Sequence, residues 1–567
     1  MKDKDWESLL YQYRYIFCLG ALGIVYFLNM FPDVMEADAS QYAAISWEML
    51  ENGSYLQVFQ RGLDYLDKPP LLFWLSSFSF KLFGVSNFTY KLPAVLVILL
   101  GIYATYRFTL HWYDKQRAYV AVLVLASTQA LLLITNDVRT DGILMGFVML
   151  SVWQLSLFLD KGKLLPLVIG SVGAALALMA KGPLGLAIVC FAIGSHLLLK
   201  KQFKAIFKPQ WLLMILIIAV LLIPMCYGLY QQFDLHPEKE VYGLKGPSGL
   251  RFFFWTQSFG RITGEIYWKN NTGYLYFINT ILWDFQPWIL FLFPALIRNV
   301  RNLFMALFMK GTRPSPEYFT LGGFLLSFAA LSASSYKLPH YIFPLFPFIA
   351  IITADFIVWL CKEGQERIVI RSYRILSKVH FGLMNLFFLI PLLSFIFFFP
   401  VLSLFLPVAL VILFLLFWYS FVSIQNKVDK IIIPTILTIM AFGLVLSTYF
   451  YPSLLKYQSE SVVGKEIHEQ KVPLDKFYFY KAPGSSMDFY ARRIVPEFKP
   501  EQIDRYEKGT LVFTTEEGRK EIMDDKKTEF KVLKSYDDFH VSSLKITFLR
   551  EDTRYKAVTK NYLLEKQ

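Results

Sequence analysis

The chain has 567 residues, 55% of them hydrophobic and 18% charged, with a net charge of +13 and a mean hydropathy of +0.43. A soluble globular protein carries about 25% charged residues. Apolar runs of roughly 20 residues, enough to cross a bilayer, recur here from Tyr15 to Tyr451 and exclude that class. The excess positive charge does not point to nucleic acid, because it gathers in short loops: Lys161 and Lys163; Lys200, Lys201, Lys204 and Lys208; Arg298 and Arg301; Arg367, Arg371 and Arg374; Lys427 and Lys430. That is the positive-inside pattern of a polytopic membrane protein.

Spans are predicted near 15–32, 88–110, 118–135, 142–160, 164–180, 184–200, 210–230, 274–297, 317–335, 341–361, 379–399, 401–421 and 430–451, about thirteen in all. They must be helices, since lipid leaves open backbone groups unsatisfied. No cleavage site follows the first run, so it is expected to remain a span. The basic loops place the N-terminus in the cytoplasm, and an odd span count places the C-terminus outside. Cys18, Cys190, Cys226 and Cys361 show no metal spacing and are expected to be free buried thiols.

In the first outer segment, 33–87, Asp38 and Gln41 have the D-x-x-Q spacing of a capping box. A helix from Asp38 would put Tyr42, Ile45 and Met49 on one stripe, with Glu36 a solvated flank. In "YLDKPPLLFW", Tyr65 to Trp74, the prolines fix the backbone after Lys68. The run 70–83 is too short and amphipathic to span and predicts a helix lying along the interface. Lys68 would then sit at headgroup depth, where a cation suits a lipid phosphate.

Further along, "NDVRTD" brings Asp137, Arg139 and Asp141 to a span boundary, where Asp141 also suits a helix N-terminus. Lys181 follows in "AKGP". The long loop 231–273 offers Arg261 and Lys269 among glycines and aromatics, and "SYKLPHY" places Lys337, His340 and Tyr341 at a span start. All of these fall on the outer side. Chemistry there needs a donor already activated and carried in the membrane. Residues 452–567 change composition: "DKFYFY", "TLVFTT" and "SLKITFL" read as strands and "EEGRKEIMDD" as a helix, which predicts a small soluble α/β domain.

These segments, taken in order, resemble the bacterial aminoarabinose transferases that modify lipid A. More broadly they resemble GT-C glycosyltransferases, which include the protein O-mannosyltransferases. The resemblance covers most of residues 1–350 and is most specific in "DKPPLLFW" and "KLPHYIFPL". It implies a transmembrane GT-C domain over 1–451 and a periplasmic domain over 452–567. It also implies a polyprenyl (undecaprenyl) phosphate sugar donor and an outer-face acceptor, lipid A or a protein. Asp38 matches the family's critical carboxylate, with Asp141 supporting the acceptor side. Lys68 matches its donor-phosphate lysine, with Arg261 and Lys337 as further phosphate cations. Tyr42, Tyr65, Asp67, Lys181, His340 and Tyr341 are the expected substrate contacts. Some members hold a divalent cation near Asp67. The chain departs from the family pattern at Ala39, where a second acid is usual, at Gln41, where Arg is frequent, and at Asp67, where Glu is usual. A transporter is disfavoured, because the ionisable residues cluster at span ends and not deep within spans.

Overall fold

The computed structural model describes residues 6–258, 260, 263, 270, 272–309, 315–364, 366–400, 404–482, 484–524 and 529–567. Among these, nine helices are long and apolar enough to cross a membrane, and four shorter apolar helices accompany them. The first elements in chain order are α1 (Trp6–Leu28), α2 (Asp38–Asn52), the hairpin β1 (Phe59–Gln60) and β2 (Leu63–Asp64), and α3 (Leu71–Phe83). Then come α4 (Asn87–Trp112), α5 (Lys115–Ala126), α6 (Gln129–Ile134), α7 (Thr140–Lys161), α8 (Leu164–Lys181) and α9 (Pro183–Leu199). A second hairpin, β3 (Glu240–Val241) with β4 (Leu244–Lys245), lies in the long loop.

The spans sort by burial. In α7 and in the segment Pro339–Glu363, 89% of the apolar window is buried, against 22% in the helices Ile289–Phe308, Arg367–Phe395 and Phe405–Ser423. The first two are therefore central, and the last three present their apolar faces to lipid. The centre is tight because glycines let backbones meet. A Cβ on Gly146 of α7 would stand 2.3 Å from the carbonyl oxygen of Val97 in α4, and one on Gly101 would stand 2.8 Å from Gly146 Cα. Gly146→Ala is expected to cost about 1–3 kcal/mol from overpacking, more than the about 1 kcal/mol that Ala gains in helix propensity. A lower unfolding temperature in detergent micelles checks this, and an unchanged one would refute the close approach.

Two predicted spans are broken. The 118–135 run divides into α5 and α6 at Ser127–Thr128, and the 274–297 run divides into Tyr276–Asp284 and Ile289–Phe308. Hydropathy does not report these breaks, because the freed polar groups satisfy one another. Gln129 N donates to Gln286 O at 2.9 Å, and the buried Trp288 Nε1 donates to Ser127 Oγ at 2.9 Å. Non-helical backbone at this depth survives only with such partners. Of the cysteines, all free, Cys361 is buried but Cys190 is exposed, contrary to the sequence expectation.

After Tyr451 a four-stranded sheet forms from β5 (Phe477–Tyr480), β6 (Leu511–Thr515), β7 (Phe530–Asp538) and β8 (Thr559–Lys566), in the order β5-β6-β8-β7. β5 and β6 are parallel, while β8 runs antiparallel to both of its neighbours. Helix Ser459–Glu469 supplies Val463 and Ile467 to one face of the sheet, and helix Glu516–Asp524 supplies Ile522 to the other. "SLKITFL" is not a strand: its second half, Ile546–Leu549, is one helical turn.

Candidate functional site

α2 is buried from Ala39 to Met49 almost without interruption. It packs between α3 and the helix Ser485–Ala491, so more than the predicted stripe is covered. Helix formation starts at Asp38 itself. The N-cap is Ala37, which makes no side-chain cap, and Gln41 Nε2 donates instead to Gln60 Oε1 at 2.8 Å. The expected capping box is therefore absent, and the Asp38 carboxylate is free to meet Arg139. Arg139 Nη1 lies 2.5 Å from Asp38, and its Nε lies 2.9 Å from Asp137. Burial opposes the charge on Arg139, but Asp137 and Asp38 more than offset it and hold its pKa above the usual value. Glu36 is not a solvated flank: His540 Nδ1 lies 2.7 Å from its carboxylate, and its backbone N–H donates to Gln458 Oε1 at 2.8 Å.

A second ion pair lies across the site. Asp141, in the first turn of α7 and 1% exposed, bonds Lys181 Nζ in the last turn of α8. Each charge sits at the helix end that its sign favours. His340 Nε2 is 3.7 Å from the other Asp141 oxygen, and the Lys181 ammonium stands 3.6 Å over the Tyr341 ring.

The approach to Lys68 is built by a carboxylate that the sequence did not single out. Buried Glu48 accepts the backbone N–H groups of Arg61 and Gly62 at 2.7 and 2.8 Å, closing the β1/β2 turn where both residues have positive φ. Two prolines then lead into α3, and Trp74 Nε1 donates to Tyr55 O at 2.5 Å. Lys68 Nζ pairs with Asp67 Oδ2 at 2.6 Å, and Gln257 Nε2 donates to Asp67 Oδ1 at 3.1 Å. Both Asp67 oxygens are thus engaged. No group of three or more His, Cys, Asp or Glu comes together among the described residues, and these residues do not form a divalent-cation cage.

Tyr42 and Tyr65 both pack against Phe73, each with its ring centroid 5.8 Å from that of Phe73. Burial, then Asp38 beside Tyr42 and Asp67 beside Tyr65, pushes both phenols well up, so each stays a neutral donor. The Tyr65 hydroxyl is buried with no hydrogen-bond partner among the described residues. Lys68, Lys181, Gln257 and Tyr341 line a cavity of about 210 Å³ whose remaining wall includes Leu184, Phe191 and Leu331.

The structure thus brings Asp38, Asp141, Lys68, Lys181, His340, Tyr341, Tyr42, Tyr65 and Asp67 into one region. Lys337 is held elsewhere: its Nζ donates to Thr272 O at 3.2 Å, and Asn270 clamps its backbone. Arg261 and Lys269 lie outside the described residues. Lys91 of α4, which sequence reading passed over, is buried behind the site. Its Nζ donates to Asn29 O, Pro32 O and Asn136 Oδ1 at 3.2, 2.9 and 2.9 Å, tying the end of α1 to the segment that carries Arg139. A lysine inside an apolar run was its only signal.

Residues 67–227 match the protein-family model of dolichyl-phosphate-mannose-protein mannosyltransferases. An undecaprenyl phosphate-alpha-4-amino-4-deoxy-L-arabinose arabinosyl transferase of Proteus mirabilis is 26% identical over 57% of this chain and 55% of its own length. The Edwardsiella ictaluri enzyme of the same name is 25% identical over 63% of this chain and 62% of its own. The chain therefore aligns with only a little over half of the length of these relatives. The crystal structure of ArnT from Cupriavidus metallidurans in the apo state superposes with a TM-score of 0.72 at 15% identity, covering 97% of both chains. The same protein bound to undecaprenyl phosphate gives 0.71 at 16% identity, with the same coverage. This protein has the fold of the GT-C membrane glycosyltransferases.

Proposed function

We propose that the protein is an inverting glycosyltransferase using a polyprenyl-phosphate sugar. It moves 4-amino-4-deoxy-L-arabinose or a related sugar from undecaprenyl phosphate to lipid A, at the outer face of the bacterial inner membrane. In this reading the N-terminus is cytoplasmic and the domain after Tyr451 is periplasmic. The carrying observation is the cavity: cationic at Lys68 and Lys181, apolar along Leu184, Phe191 and Leu331, and close to two carboxylates. A ligand with a phosphate head and a hydrocarbon tail fits such a lining. The aminoarabinosyl transferase relatives and the likeness to ArnT bound to undecaprenyl phosphate support the same donor class.

The reaction is a single displacement. An acceptor oxygen attacks the anomeric carbon while the bond from that carbon to the phosphate oxygen breaks, and the electron pair leaves on undecaprenyl phosphate. Lys68 and Lys181 stabilise that anion, with Arg261 as a further cation for it. Asp38 orients the acceptor. A lipid A phosphate is ionised near neutral pH and needs no base, whereas a hydroxyl acceptor would pass its proton to Asp38. Asp141, held by Lys181 and facing His340, supports the acceptor side. Tyr42, Tyr65, Asp67 and Tyr341 complete the sugar contacts, with the free Tyr65 hydroxyl available as a donor.

Purified protein in proteoliposomes, given the polyprenyl-phosphate sugar and lipid A, should yield a lipid A heavier by one sugar in mass spectra. Lys68→Ala should cut that rate by about 10²-fold or more. No product with wild type, or full turnover in the variant, would sink the reading. The match of residues 67–227 favours one second reading, a protein O-mannosyltransferase acting on Ser or Thr. Sugar appearing on periplasmic proteins, with lipid A unchanged, would select it.

A further inference from the structure

A second polar cavity, of about 230 Å³, lies at the outer end of α4, where the domain after Tyr451 meets the membrane helices. Its lining includes Asn87, Lys465, His468, Glu469, Tyr490 and Arg492. Arg492 follows the helix Ser485–Ala491 in left-handed backbone, with φ 55°. Its Nη2 donates to Val85 O at 2.8 Å, and its guanidinium lies 4.8 Å over Phe489. Its Nη1 is buried with no hydrogen-bond partner, and no carboxylate pairs with the guanidinium among the described residues. Nη1 is thus a buried donor without an acceptor on a half-buried guanidinium, in a cavity that the exposed Glu469 also lines. Lys465, paired with Asp33 at 2.5 Å, and exposed His468 also line it.

The floor beneath is apolar. Asn87 Nδ2 donates to Phe31 O at 3.3 Å, and Phe27, Phe31 and Phe88 form an aromatic cluster with centroids 5.1–5.9 Å apart. Phe27 and Phe31 are 50% and 52% exposed on a membrane helix and its outer end, and Phe83 beside them is 66% exposed. An anion site directly above a lipid-facing aromatic wall matches an amphiphile that carries a phosphate.

We infer that this cavity binds the phosphate of a membrane glycerophospholipid, in the leaflet on the Asp38 side, with its acyl chains along the Phe27–Phe31–Phe88 wall. Arg492 Nη1 supplies the charge-assisted hydrogen bond, while Tyr490 and Asn87, bonded to each other, form the wall beside it. The inference does not depend on the glycosyltransferase reading. It gives the domain after Tyr451 a lipid-binding surface of its own.

The test uses the full chain, solubilised from membranes containing phosphatidylglycerol and phosphatidylcholine, with retained lipid counted by native mass spectrometry. Wild type should retain phosphatidylglycerol in preference to phosphatidylcholine. Arg492→Gln should lower that retention by about tenfold, as expected for loss of a charged hydrogen bond. Arg492 also anchors Val85, so His468→Glu provides a second variant: it places a negative charge in the cavity from an exposed position and should lower retention as well. Lys476→Gln, which removes a distant surface cation, should leave retention unchanged. Equal retention in wild type and both cavity variants overturns the proposal. So does competition by glycerol phosphate equal to that of the intact lipid, which would make a soluble phosphate the ligand. Preferential retention of lipid A overturns the glycerophospholipid assignment.

Discussion

Asp38→Asn is expected to lower sugar transfer by roughly 10²–10⁴-fold, the range for loss of a positioned acid–base group, while the protein stays folded. The substitution keeps the shape of the side chain and removes only its charge. Asp38 is partly exposed, and Arg139 retains Asp137 as a partner, so no buried charge is stranded. The measurement is turnover in proteoliposomes, with gel-filtration profile and unfolding temperature as controls for folding. Normal turnover by a well-folded variant would remove Asp38 from the chemistry. Arg139→Gln is informative beside it, because in this chain the guanidinium comes from the α7 approach and not from position 41. If Arg139 serves only to hold Asp38, Arg139→Lys should recover much of the activity that Arg139→Gln loses.

The second large effect concerns stability. Asp141 is 1% exposed and Lys181 9% exposed, so their ion pair is buried. Lys181→Met strands the Asp141 carboxylate, and removing one partner of a buried pair costs about 3–5 kcal/mol. The double variant Asp141→Asn/Lys181→Met removes both charges and should regain most of that loss. Its transfer activity should remain low, because the cavity has lost the cation proposed to meet the donor phosphate. Unfolding temperatures of the wild type, both single variants and the double variant complete the cycle. A double variant as unstable as Lys181→Met would show that the lysine acts through packing against Tyr341 and not through charge.

Both pairs show what a linear reading can and cannot supply. Asp38, Asp141, Lys68 and Lys181 were legible because each is an ionisable residue at the edge of an apolar run, and lipid makes such residues expensive. Their pairing was not legible. Asp38 and Arg139 stand 101 positions apart, and Asp141 and Lys181 stand 40 apart, so only the helix packing joins them. Arg139 was read as a neighbour of Asp141, but its side chain turns to the other carboxylate. The spans followed from hydropathy, while the breaks at Ser127 and Pro287 did not, since each break is satisfied by the other. β7 was missed because its residues from Lys531 to Ser535 are all exposed, which leaves no alternation to detect. Lys337 carried the same signal as Lys181, yet its ammonium is held by Thr272 O, and nothing local to "SYKLPHY" distinguishes the two.

The link between residues 33–37 and the domain after Tyr451 limits how the protein can be re-engineered. Gln458 Nε2 donates to Val34 O at 3.1 Å, Tyr490 accepts Val34 N–H at 2.7 Å, and His540 meets Glu36, all within four residues of Asp38. The register of α2 is therefore written partly in a sequence more than 400 positions downstream. In a chimera with a relative, the segment 33–87 and the C-terminal domain form one inheritable unit. Exchanging either without the other would leave a membrane bundle that assembles but presents Asp38 out of place.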